Sequence, residues 1–113
     1  MPLVDTLLET ARQDTNLLLK NDGLGDDFTV PRPVDFLLVA KEEQKAGLVA
    51  SFINDNRYGS AKVENTGTEF RVQVVVNMPT TQNVLCSVSG LMACIAALYG
   101  IMYDGWGCVI QKP

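Results

Sequence analysis

From Val72 to Tyr103 the chain carries no charged side chain. So long an uncharged stretch belongs in a protein core or in lipid, because burial of apolar surface is what stabilises it. Its internal pattern decides between the two. In Glu69 to Met78, Phe70, Val72, Val74 and Val76 alternate with Arg71, Gln73, Val75 and Asn77. That alternation predicts a strand with one face in a core. Pro79 stops the strand, and Thr80 or Thr81 can cap the next helix by accepting backbone N–H bonds. Val84, Val88, Leu91, Ile95 and Leu98 then recur at helical spacing and predict its apolar seam, flanked by Leu85, Met92 and Tyr99. Gly100 can end this helix, and Ile101 to Ile110 predicts a last strand. Val84 to Met102 is nearly long enough to span a bilayer. Against a span, Ser87, Ser89 and Gly90 interrupt the apolar surface, and the alternating strand needs a helix to cover it. The segment therefore reads as a core helix rather than a membrane element. Ala93, Cys94, Ala96 and Ala97 form its thinner side, open to close packing or to a dimer contact.

The rest of the chain supplies partners for that core. Residues 3–20 read as a first helix, with Val4, Leu7, Leu8, Ala11 and Leu18 at helical spacing and Thr15 interrupting the stripe. Pro2 suits an opening turn. Asn21-Asp22-Gly23 is a stop signal, with Gly23 available for a left-handed cap, and Leu24 to Val30 is a linker. Pro31 and Pro33 hold the chain extended into a strand over Val34 to Ala40. Phe36, Leu38 and Ala40 share one face of it and Leu37 and Val39 the other, so the strand is central or covered on both sides. Glu42 to Asn54 predicts a second helix with an Ala46, Val49, Ala50, Ile53 stripe and two acids at its favourable N-terminal end. Ser60 to Asn65 predicts a strand, turned by Thr66-Gly67-Thr68 into the alternating one.

The order is a helix, then strand-helix-strand-strand-helix-strand. That is an α+β chain with a ferredoxin-like split βαββαβ pattern: a four-stranded antiparallel sheet, two helices on one face, and an extra N-terminal helix. The expected division is residues 1–30 for the N-terminal helix and linker and 31–113 for the ferredoxin-like domain, packed as one unit.

Composition removes several classes of chemistry. The chain has no His, which excludes Ser-His-Asp and Cys-His catalysis in their usual forms and imidazole metal sites. Cys86, Cys94 and Cys108 are odd in number and far from CxxC spacing, as small buried thiols would be. No metal site or cofactor is expected. Nine Lys and Arg are scattered singly in a chain of net charge −4, so direct binding to a nucleic-acid backbone is disfavoured. Met1-Pro2-Leu3-Val4-Asp5 has no basic n-region, and with the reduced thiols this favours the cytoplasm.

Two motifs stand out. Tyr103-Asp104-Gly105-Trp106-Gly107 holds the single Trp between two glycines. Trp106 and Tyr103 either fill the space between sheet and helices or expose an anchor for a partner. Asp104 beside Tyr103 also has the form of an acid–base pair, although Asp before Gly is more often a turn residue. The second motif is Arg32-Pro33-Val34-Asp35-Phe36, where Asp35 either pairs with Arg32 or caps nearby backbone. Asp26 and Asp27 are a weak cation signal.

These two motifs, with the valine-rich strand 70–76 between them, resemble the regulator of ribonuclease E activity B family over residues 31–111. The resemblance implies a ferredoxin-like fold and a non-enzymatic inhibitor without cofactor. It would act by binding ribonuclease E and altering its RNA-degrading complex, with Arg32, Asp35, Tyr103, Asp104, Gly105, Trp106 and Gly107 as motif or interaction residues. Two alternatives remain beside it. One is a small-molecule-sensing or oligomerising module on the same fold, with a homodimer and a pocket near Trp106. The other is an unfamiliar enzyme using Asp35, Asp104 and Tyr103.

Overall fold

The computed structural model describes residues 2–112. Its elements are α1 (Pro2–Gly23), β1 (Arg32–Ala40), α2 (Glu43–Asp55), β2 (Ser60–Asn65), β3 (Phe70–Met78), α3 (Gln82–Tyr99) and β4 (Met102–Cys108). The sheet order is β2-β3-β1-β4, and each neighbouring pair is antiparallel. This is the ferredoxin-like split arrangement with one additional helix in front.

The core follows from strand parity. Val34, Phe36 and Leu38 of β1 are fully buried and lie beside Val76, Val74 and Val72 of β3. α2 lays Ala46, Val49 and Ile53 on this face, and α3 lays Leu85, Met92 and Ile95 on it. Each fully buried large aliphatic or aromatic side chain contributes roughly 1.5–3 kcal/mol. The opposite face of the sheet, with Asp35, Leu37, Val39, Gln73 and Val75, is not covered by any described element. Leu37 and Val39 are half-buried there because β1 is central, with β3 and β4 on its two sides.

α3 differs from expectation in which arc it buries. The expected seam ran through Val84, Val88, Leu91, Ile95 and Leu98, of which Ile95 is buried and Val84, Val88 and Leu91 are only partly so. The fully buried arc joins Ile95 to the flanking Leu85 and Met92 and to Ser89, Ala93 and Ala96, while Leu98 is 79 % exposed. The cause is a second packing partner. α1 runs antiparallel along α3: Gln82 Nε2 donates to Thr15 at one end (3.2 Å), and Thr6 and Thr10 line a cavity with Ala93 and Ala97 at the other. Small side chains let the two backbones approach, so the buried arc rotates toward α1. The thin side of α3 is thus occupied by the chain's own helix. α3 is long and apolar enough to cross a membrane, but here it is seated between the sheet and α1.

Smaller differences are local. α1 continues through the expected stop to Gly23, and the positive φ falls at Gly25 (85°). β1 starts at Arg32 rather than Val34, and its pairing with β4 begins only at Val34. Pro33 therefore interrupts no ladder to β4. At the β2 edge, Asn54 binds Ala61 twice: Oδ1 accepts from its N–H (2.8 Å) and Nδ2 donates to its C=O (2.9 Å).

Candidate functional site

β4 carries the aromatic motif, and its pairing explains the composition. Met102 lies opposite Val39, Tyr103 opposite Leu38, Trp106 opposite Phe36 and Cys108 opposite Val34. Two residues, Asp104 and Gly105, therefore face the single Leu37, which is a β-bulge. Gly105 adopts φ 93° there, a conformation costly for any residue with a Cβ. The bulge has a consequence for facing. Residues three apart on a regular strand point to opposite sides of the sheet. The extra residue puts Tyr103 and Trp106 on the same, helix-covered side.

From that side the two rings reach different helices. The Tyr103 hydroxyl and Ser89 Oγ of α3 share a hydrogen bond of 2.8 Å. Trp106 Nε1–H donates to Asp14 Oδ1 of α1 at 3.0 Å. Asp14 is only 4 % exposed, and its Oδ2 has no hydrogen-bond partner. Burial pushes the Asp14 carboxyl above its ordinary pKa, opposed by the neighbouring Ser89 hydroxyl and the Trp106 N–H. Burial likewise pushes the Tyr103 phenol far up, so it stays protonated. Each ring thereby ties one helix to the sheet.

Arg32 is 2 % exposed, on the same face of β1 as Phe36. Its Nη1 donates to Asp26 Oδ1 (2.6 Å) and Val109 O (3.3 Å), its Nη2 to Asp27 O (2.5 Å), and its Nε to Val30 O (3.0 Å). Asp26 Oδ1 also accepts the Gln111 N–H (2.9 Å), and Asp27 N–H donates to Gln111 O (2.7 Å). One guanidinium thus clamps the linker to the chain beyond β4. The suggested Arg32–Asp35 pair does not form, because positions three apart on β1 lie on opposite faces. Asp35 sits on the open face and accepts from Gln73 Nε2 at 3.0 Å. Asp26 and Asp27 do not converge on a cation either: Arg32 takes the first, and Thr29 binds the second through its N–H and hydroxyl.

The exposed charged residues of the two motifs are therefore Asp35 and Asp104. Gly107 lies beside Asp35 in the ladder. Asp104 lines a cleft of about 660 Å³ at one end of the sheet, together with Val39, Lys41, Lys45, Glu69 and Met102. Trp106 does not line this cleft. Tyr103 turns toward α3 and Asp104 toward the cleft, so the two do not assemble as an acid–base pair. Between the acids the open face is apolar, with Leu37, Val39 and Val75 half-buried and Met102 61 % exposed.

Asp14 and the bonding roles of Ser89 and Gln73 were not singled out from the sequence, and Asp26 stood there only as half of a weak cation signal. Asp14 left a signal: it stands in register with Leu7, Leu18 and Asn21 on the α1 stripe, where an acid is out of place. Nothing local pointed from Asp26 to Arg32, since that pairing depends on the path of the linker. The three thiols are free and partly buried, and burial raises the pKa of Cys86 and Cys108.

No curated protein matches the chain. A family model described as regulator of ribonuclease activity B matches residues 11–108, from the third turn of α1 to the end of β4.

Proposed function

The chain belongs to the regulator of ribonuclease activity B family, and from that premise we propose that it inhibits ribonuclease E, or the RNA-degrading complex around it, by protein–protein binding and without catalysis. The observation that carries this reading is the extent of the match, which takes in the whole split βαββαβ unit and both motifs. The surface that fits the role is the open face of the sheet. It joins an apolar centre at Leu37, Val39 and Met102 to exposed acids at Asp35 and Asp104. Apolar anchors rimmed by charge are how protein interfaces combine affinity with orientation. Tyr103, Gly105 and Trp106 act from behind, by setting the bulge that shapes this face.

The test is cleavage of a labelled RNA by ribonuclease E with and without the protein. The wild type slows cleavage. Asp104→Lys and Met102→Asp, at exposed positions, relieve the inhibition while melting at the wild-type temperature. If the wild type leaves the cleavage rate unchanged and does not bind the nuclease, the proposal fails. If both variants inhibit like the wild type, the contact lies elsewhere on the molecule.

A further inference from the structure

We propose that α1 is a hinged cover on α3, pinned at its C-terminal end, and that ionisation of Asp14 loosens its free part. This inference is independent of the ribonuclease reading.

The two ends of α1 are held very differently. At the C-terminal end Leu18 belongs to the core and Asn21 is buried. The Asn21 carbonyl accepts the N–H groups of Leu24 and Asp26, and Asp26 is gripped by Arg32. Toward the N-terminus, Leu3, Val4 and Leu8 are exposed, Leu8 to 67 %, while Leu7 and Thr10 are half-buried on α3. Among the described residues, the side-chain bonds from α1 to the rest of the fold are Trp106–Asp14 and Gln82–Thr15. Segments with few buried apolar contacts open first, at a fraction of the global unfolding free energy. The hinge is therefore expected just before Leu18.

Asp14 lies in the free part, one turn before the hinge, and its surroundings suit a neutral side chain. The groups that face it are Cys86 and Ser89 of α3 and Tyr103 and Trp106 of β4; none is a cation. Cys86 and Tyr103 are titratable, but burial favours the neutral form of both. One carboxyl oxygen takes the indole N–H and the other has no partner. A buried carboxylate in that position loses hydration that the protein does not replace. Released into water, the same group recovers it.

The sign follows from linkage. The docked carboxyl has the higher pKa, so docking takes up a proton. Docking is strongest below the ordinary carboxylate pKa and weakens as pH rises through the docked value. Each unit of separation between docked and released pKa changes the docking constant by about tenfold. When α1 lifts, the small-residue side of α3 and the Trp106 indole meet solvent.

Hydrogen exchange of the full chain, corrected for the intrinsic pH dependence of exchange, reads this directly between about pH 4 and 8. In the wild type, protection in residues 2–17 falls as pH rises, while residues 18–23 and α2 stay flat. Asp14→Asn keeps an oxygen acceptor for Trp106 and cannot ionise, so its α1 stays protected at every pH. Trp106→Phe removes the donor that partly satisfies the carboxylate and deepens the wild-type trend. The single Trp gives a second readout, a fluorescence shift in the wild type that Asp14→Asn lacks. Equal wild-type protection across the range overturns the proposal, and so does an Asp14→Asn variant that retains the wild-type pH dependence.

Discussion

Asp14 and Asp26 are both buried aspartates of the N-terminal segment with Oδ2 unpartnered, and the fold treats their Oδ1 atoms very differently. Asp26 receives a guanidinium and a backbone N–H, and its partner Arg32 uses its other donors on three carbonyls. Asp14 receives one indole N–H. The difference teaches why the linker is fixed while the helix before it is held loosely. A buried carboxylate tightens a structure when a cation and donors come with it, and weakens the structure when they do not.

The comparison breaks most visibly at Arg32. Arg32→Ala leaves the buried Asp26 carboxyl without its cation and three carbonyls short of a donor. We expect a loss of about 3–5 kcal/mol in urea unfolding. A loss below about 1 kcal/mol would mean that water takes over the clamp and that the two aspartates are alike.

The next effect is expected at the bulge, which brings Trp106 to Asp14 in the first place. Gly105→Ala places a Cβ at φ 93° and should cost about 1–2 kcal/mol, seen as a lower melting temperature. No atom lies near enough to clash with that Cβ, so the cost is backbone strain alone.

Asp14→Asn sharpens the comparison with an opposite sign. Removing the ionisable group should raise stability at neutral pH by about 1 kcal/mol. The gain should vanish in acid, where the wild-type carboxyl is also neutral. Melting curves at two pH values decide it: a variant less stable than the wild type at neutral pH would falsify the account of Asp14 as a weak point.

The smallest effect lies away from both aspartates. Asn54→Ala removes two exposed bonds to Ala61 and should cost about 1 kcal/mol or less. It also frees a backbone N–H and C=O on the β2 edge. Concentration-dependent association, followed by sedimentation, should therefore increase in the variant.

Much of the fold was legible because its signals are local. The Phe70–Met78 alternation, the Ser60–Asn65 strand and the stripe of α2 each depend on neighbours within one element. Parity on β1 also bears on Arg32: positions 32 and 35 point to opposite faces of any regular strand, which already argues against their pairing. Other features were not legible. The 4-3-4-3 spacing of the α3 seam includes Leu98, but α1 packs on the small residues and turns Leu98 outward. The aromatic motif announced a special backbone without saying that Tyr103 and Trp106 end on one face. That depends on the register of β4 against β1.

By itself, the sequence determined the order of elements, the layer that must be buried and the absence of imidazole chemistry, because periodicity and composition are properties of the chain. Tertiary structure decided which charges become partners and which faces remain open. Arg32 meets Asp26 through the path of the linker between them, Trp106 meets Asp14 across 92 residues, and Asp35 stays in water because no described element covers its face of the sheet. Such encounters depend on register and loop path, which no local pattern encodes.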